Sequence, residues 1–156
     1  MVNPELSPEV TAMFSGYPEH PARTMSMRSM DCVMRKDRDS WLALWAEDGW
    51  VEDPIGVSFL DPSGQGHHGP AGRAAFWDSN MAPNSIVFVL HDSFACGHEV
   101  ANVATITITL PGGETTRCDG VFAYRLDDEG KLLSLRAFWE LDRMMATMLP
   151  VAPAPS

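Results

Sequence analysis

Of the 21 acidic residues in the chain, one has surroundings suited to proton transfer. In the run Val51-Glu52-Asp53-Pro54-Ile55-Gly56, Asp53 stands at the end of a short apolar stretch, flanked by Val51 and Ile55. A carboxylate held at the mouth of an apolar pocket loses hydration, so its pKa rises and it becomes a better base near neutral pH. The plain alternative is a turn-forming Asp ahead of a proline. The local pattern leaves both open.

Other chemistry-bearing patterns lead to less. Gly64-Gln65-Gly66-His67-His68-Gly69 is a literal G-x-G-x-x-G. A dinucleotide fingerprint needs an apolar strand running into the first glycine and a parallel βαβ unit around it. Here Asp61-Pro62-Ser63 precedes it, so the segment reads as a flexible loop. His67 and His68 are adjacent and point apart, while His20, His91 and His98 lack HxxxH or HxH spacing, so no metal is expected. There is no G-x-S-x-G elbow for a serine nucleophile. Cys32, Cys96 and Cys118 are odd in number, widely spaced and without a CxxC; they read as small buried hydrophobes in a reducing cytoplasm.

Composition bounds the class. The chain has 156 residues, 11 Lys+Arg and a net charge of −10, which is one domain's length and a poor match to nucleic acid. Hydrophobic residues make up 45%, enough for a core. No apolar run reaches the ~18–20 residues of a membrane span. The opening Met1-Val2-Asn3-Pro4-Glu5 lacks the basic-then-apolar order of a signal peptide. A cytoplasmic protein without membrane or nucleic-acid partners is the expectation.

The elements that must position Asp53 follow from periodicity. Residues 22–36 place Met27, Met30, Val33 and Met34 at helical spacing, and a short helix near 39–46 gathers Trp41, Leu44 and Trp45. Asp37 and Asp39 suit turn or N-cap positions ahead of it. A short strand over 50–54 precedes a helix over 69–81, which opens on Gly69-Pro70. Strands follow over 85–95, 99–110, 115–126 and 131–139, joined by turns at Pro111-Gly112-Gly113 and Asp127-Asp128-Glu129-Gly130. A last helix over 140–149 carries Leu141, Met144, Met145 and Met148. Residues 1–21 and 150–156 are proline-containing flanks, expected to be extended or poorly ordered, around a domain over 22–149. Helices first and hairpin-linked strands after make an α+β fold, a curved antiparallel sheet with helices in its concave face around an apolar pocket.

The ordered set Trp45-Ala46-Glu47-Asp48, Val51-Glu52-Asp53-Pro54-Ile55-Gly56, His68-Gly69, Phe76-Trp77, Asp119-Gly120-Val121-Phe122-Ala123-Tyr124-Arg125 and Ala137-Phe138-Trp139 resembles the Δ5-3-ketosteroid isomerase family. The likeness spans about residues 25–145 and is nearest to an actinobacterial branch of that family. It places the chain among the nuclear-transport-factor-2-like and polyketide-cyclase-like cone folds.

The resemblance implies a proton shuttle next to a carbonyl of a steroid-like or polycyclic ketone, with Asp53 as base and no cofactor. Counting back from Asp53, the family's Tyr donor falls on Ser29. Counting back from Trp139, its protonated Asp falls on Phe122. Both usual oxyanion donors are therefore absent, and Trp45 and Trp77 replace the tyrosines that buttress them. One such donor is worth on the order of 10²–10³ in rate, so weak turnover is expected. Tyr124, two residues beyond Phe122 on the same strand face, is the first substitute donor; the Trp139 indole and Ser29 are others. Asp119 faces the other way.

The family register assigns Trp45, Ile55, Phe76, Met81, Val103, Phe122, Leu135, Ala137 and Trp139 to the ligand pocket, with Trp77 beside them. It also turns Val103, Thr105 and Thr107 inward, whereas hydrophobicity alone turns Ile106, Ile108 and Leu110 inward. Isoleucines on the outer face imply a homodimer that covers them. The alternatives are a binding protein for a small apolar ligand without turnover, or another cone-fold enzyme: a polyketide cyclase, dehydratase or epoxide hydrolase.

Overall fold

A computed structural model of the protein describes residues 6–151. Six strands, β1 (Trp45–Glu52), β2 (His67–His68), β3 (Ser85–Cys96), β4 (Glu99–Thr109), β5 (Thr115–Leu126) and β6 (Leu132–Phe138), form one open sheet in the order β2-β1-β6-β5-β4-β3. Neighbours are antiparallel except β1 and β6, which run parallel. The parallel pairing sets the end of β1, and Asp53 just beyond it, beside the end of β6. A bulge between Leu90 and Asp92 offsets β3 against β4; bulges of this kind bend and twist a sheet.

The helices are α1 (Pro8–Met13), α2 (Pro21–Arg35), α3 (Arg38–Ala43), α4 (Gly69–Phe76) and α5 (Leu141–Met145). A π-helical turn, Trp77–Met81, extends α4. His20 caps α2 by accepting from the Ala22 N–H (3.1 Å), and Asp37 caps α3 by accepting from Ser40 N–H (3.2 Å). Trp45, expected at the end of the second helix, instead opens β1.

Helix α2 lies in the concave face, against β3, β4 and β5. A buried polar network fixes it there. Asn102, fully buried, donates to Ser26 Oγ on α2 (2.9 Å) and accepts from Ser93 Oγ (2.7 Å), while Arg23 Nε donates to Ser93 Oγ (2.9 Å). Every member has a partner, so the burial of these polar groups is compensated.

The N-terminal flank is not extended throughout. Ser7-Pro8-Glu9 starts α1 in the manner proline favours at a first turn, and Val10 and Phe14 are buried in the core. The Ser7 N–H donates to Asp31 Oδ1 (3.3 Å), and the Tyr17 hydroxyl to Asp92 Oδ1 (3.1 Å). At the other end Leu149 pairs with Thr115. Residues 1–5 and 152–156 lie outside the described residues.

Strand β4 decides the register conflict for hydrophobicity. Val100, Asn102, Ala104 and Ile106 are buried inward, and Ile108 follows on that face. Val103 and Thr107 face outward. Burying two isoleucines against the helices releases more apolar surface from water than burying threonines would, and Asn102 finds its partners on α2 and β3. The isoleucines therefore do not form an outer surface.

Candidate functional site

Alternation along β1 sends Val51 into the core, Glu52 outward to the Arg136 guanidinium, and Asp53 back inward. Asp53 meets an apolar cavity of about 330 Å3 between the helices and the sheet, a size suited to a small organic ligand. Phe88, Ile106, Cys118 and Phe122 form its sheet wall, and Trp41, Phe76 and Met144 close it from the helical side. Among the described lining residues Asp53 is the only charged side chain.

The Trp139 indole N–H donates to Asp53 Oδ1 at 2.5 Å. Burial pushes the Asp53 carboxyl up to about 6, and the bond from Trp139 opposes that shift only in part. No cation pairs with Asp53 among the described residues. Gly120 makes the approach of Trp139 feasible, because a Cβ there would stand 2.6 Å from the Phe138 carbonyl oxygen and 2.9 Å from Trp139 Cβ. Trp139 thus holds one carboxylate oxygen, and the other, Oδ2, has no hydrogen-bond partner among the described residues. Its N–H is committed to the base and is not a free oxyanion donor.

Hydroxyl donors are nearby. Tyr124 and Ser29 both line the cavity, and Ser29 is the hydrogen-bonding side chain beside the Tyr124 hydroxyl. Trp41 Nε1 donates to Ser29 Oγ (3.1 Å). The Trp41 N–H is spent on Ser29 Oγ, so even with Ser29 and Tyr124 bonded to each other one O–H remains for a group in the cavity. Burial and the Asp53 charge hold the Tyr124 phenol above its ordinary pKa, which keeps it a neutral donor. Burial, chiefly, pushes the Cys118 thiol up to about 12, so it stays protonated beside the base.

A family model, the SnoaL-like domain, matches residues 27–135. The chain belongs to the SnoaL-like domain family. No curated protein matches it. It is similar to the Δ5-3-ketosteroid isomerase from Mycobacterium sp., with 38% identity over 84% of this chain and 98% of that one, at TM-score 0.76. A Mycobacterium tuberculosis protein solved in complex with estradiol-17beta-hemisuccinate is 34% identical over 84% of this chain and 99% of that one, at TM-score 0.76. A computationally designed 17-OHP binder is 32% identical, covers 84% and 98%, and has a TM-score of 0.77.

In this SnoaL-like domain Phe76, Met81, Phe122, Leu135 and Trp139 line the cavity with Asp53, Ser29 and Tyr124. Five other pocket assignments need correcting. Trp45 and Trp77 are buried core residues, each packed on Trp41 at 5.3 Å between ring centroids. Ala137 is fully buried within the sheet. Ile55 and Val103 border a groove on the outer face: the chain bends after Pro54, and Val103 has the outward parity of β4. Trp41, Ile86, Asn80 and Asn84 line the cavity without a site role assigned from sequence. The alternation Ile86-Val87-Phe88 carried the signal for the first of the strand residues.

The G-x-G-x-x-G segment is structural. Asp61 accepts from the Gly66 N–H (2.8 Å) and the Ser63 hydroxyl (3.1 Å), and Gly66, at φ +83, backs closely on Val51. His68 stacks on Trp50 at 5.7 Å. Among the described residues no group of His, Cys, Asp and Glu could hold a metal ion, and no helix is long and apolar enough to cross a membrane. Cys32 and Cys118 are buried, whereas Cys96, at the end of β3, is exposed.

The raised Asp53 pKa makes a thermodynamic prediction. The group favours folding below its unfolded pKa near 3.9, and that contribution is lost as pH rises through about 6. Asp53→Asn should therefore gain stability relative to wild type between pH 4 and pH 8, by on the order of 2 kcal/mol. Urea unfolding at both pH values measures it; a difference that does not change with pH contradicts the assignment.

Proposed function

We propose that the protein isomerises a steroid-like or polycyclic β,γ-unsaturated ketone by moving one proton. The observation that carries the reading is a carboxylate that stands alone among the described residues of an apolar cavity, fixed through one oxygen by Trp139. Asp53 Oδ2 takes a proton from the carbon between the carbonyl and the double bond. The electron pair moves onto the carbonyl oxygen, and the O–H left over in the Trp41–Ser29–Tyr124 chain stabilises the dienolate. Asp53 returns the proton at the far end of the diene, giving the conjugated enone. Atoms and electrons balance without a cofactor.

The steroid complex of the mycobacterial relative and the designed binder support a ligand of this class. Epoxide opening fits less well, because no second carboxylate or arginine lines the cavity among the described residues. Ser29 and Phe122, in place of stronger donors, favour one second reading: a steroid-like ligand is bound and not turned over.

Incubation with 5-androstene-3,17-dione, followed by enone absorbance, tests the reaction. Wild-type kcat/KM should rise with pH and level off above about pH 6, as Asp53 ionises. Asp53→Asn should lower it by at least about 10², and Tyr124→Phe by on the order of 10², since Ser29 can replace the donor only in part. Turnover that survives Asp53→Asn overturns the base. Saturable quenching of tryptophan fluorescence without turnover supports the binding reading.

A cytoplasmic homodimer belongs to the same proposal, on the same outer face but through other residues than the isoleucines. Val87, Val89, Phe94 and Phe138 are each at least half exposed on the outer face, an apolar patch of the kind that marks protein contacts. Light scattering should give twice the protomer mass at micromolar concentration, with Phe94→Glu reducing it. A single-protomer mass for wild type contradicts this.

A further inference from the structure

The end of the cavity farthest from Tyr124 carries polar side chains that proton transfer does not use. Asn80 lies on the π-helical turn and Asn84 just before β3, and both line the cavity. Asn80 Nδ2 donates to the Phe76 carbonyl (3.2 Å), and Asn84 Nδ2 to the Asn80 carbonyl (2.8 Å). Those bonds fix which way each amide faces, because only the nitrogen can donate to a carbonyl. Both Oδ1 atoms are left without a protein donor among the described residues.

The segment that carries them is tied down from outside. Lys36 Nζ donates to the carbonyls of Met81 (3.2 Å), Ala82 (2.9 Å) and Asn84. Arg38 holds Asp78 through two bonds, at 2.9 and 3.2 Å. Two cations on the solvent side therefore position two amide acceptors on the cavity side. π-Helical insertions are often found at functional sites, and this one projects Asn80 into the cavity.

The separation from the base follows from strand register. Ser85, next to Asn84, aligns with Thr109 and through it with Thr115. Cys118, which lines the cavity with Asp53, is three residues farther along β5, or about 10 Å at ~3.3 Å per residue, and Phe122, paired with Ala137 beside the Asp53 segment, lies farther still. A single ring cannot span that gap; a rigid fused-ring ligand can.

We propose that Asn80 and Asn84 form a second polar subsite, which accepts a hydrogen bond from a hydroxyl at the end of the ligand remote from the reacting carbonyl. This rests on the steroid-like reading above and narrows it. The ligand is a polycyclic ketone with a distal hydroxyl, preferred over a distal ketone because a hydroxyl can donate to an unpartnered Oδ1 and also accept from the second Nδ2 proton, whereas a ketone only accepts.

Fluorescence titration with three 4-androsten-3-ones, bearing a 17β-hydroxyl, a 17-ketone or no substituent at carbon 17, tests it. Wild type should bind the hydroxylated ligand about 5–10-fold more tightly than the unsubstituted one, the range of one net hydrogen bond. Asn80→Leu and Asn84→Leu should each shrink that ratio toward one, with the unsubstituted ligand bound within about twofold of wild type. Equal affinity of wild type for all three overturns the subsite and leaves the steroid-like reading standing. Failure of all three to bind overturns that reading, and the subsite with it. The wild-type ratio needs no variant, so a substitution that fails to fold does not shelter the proposal.

Discussion

Removing water from one carboxylate, with a single indole N–H in return, is the constraint around which the rest of the site is arranged. An ionised Asp in an apolar cavity is costly to hold, and protein carboxylates usually recover that cost through a cation or several donors. Among the described residues Asp53 has Trp139 alone. The bond is strong enough to fix the carboxylate and too little to return it to ordinary acidity. Gly120 gives the indole room, the parallel pairing of β1 with β6 brings Asp53 level with the strand end that carries Trp139, and Ile55 N–H to the Ala137 carbonyl (3.1 Å) holds the chain beyond Pro54.

The same low polarity that raises the pKa of Asp53 raises the worth of any donor aimed into the cavity. Nature of the donor matters less than its being pre-positioned. Ser29 on α2 and Tyr124 on β5 come from elements joined by the Asn102, Ser26, Ser93 and Arg23 network. Trp41 on α3 supplies the N–H that orients Ser29. The network that anchors the helix and the hydroxyls that line the cavity thus share α2, which is held to the sheet by Ser26 and carries Ser29 at the cavity wall.

How far all this was legible depended on the range of the interaction. Asp53 was legible because strand, carboxylate and proline are neighbours in the chain, and Phe76, Phe122 and Trp139 because aromatic positions survive a small error in alignment. Strand parity does not survive one: shifting by a single residue moves Val103 from one face to the other, and the alternation Thr105-Ile106-Thr107-Ile108 gave the right answer where the family register did not. Trp45 and Trp77 were misplaced because burial against Trp41 and cavity lining leave the same mark on a sequence. The bond between Trp139 and Asp53, 86 positions apart, and the amides of Asn80 and Asn84 left no local pattern at all. Helix α1 was hidden by prolines that end helices in general but start them at a first turn.

The central claim is that Asp53 is a poorly compensated carboxylate and therefore a base matched to neutral pH. Carbon-13 NMR of the side-chain carboxyl in aspartate-labelled protein, assigned by its loss in Asp53→Asn, reads that ionisation directly without substrate. A midpoint near pH 6 is the predicted result. A midpoint near 4, the ordinary value for a hydrated aspartate, would contradict the account.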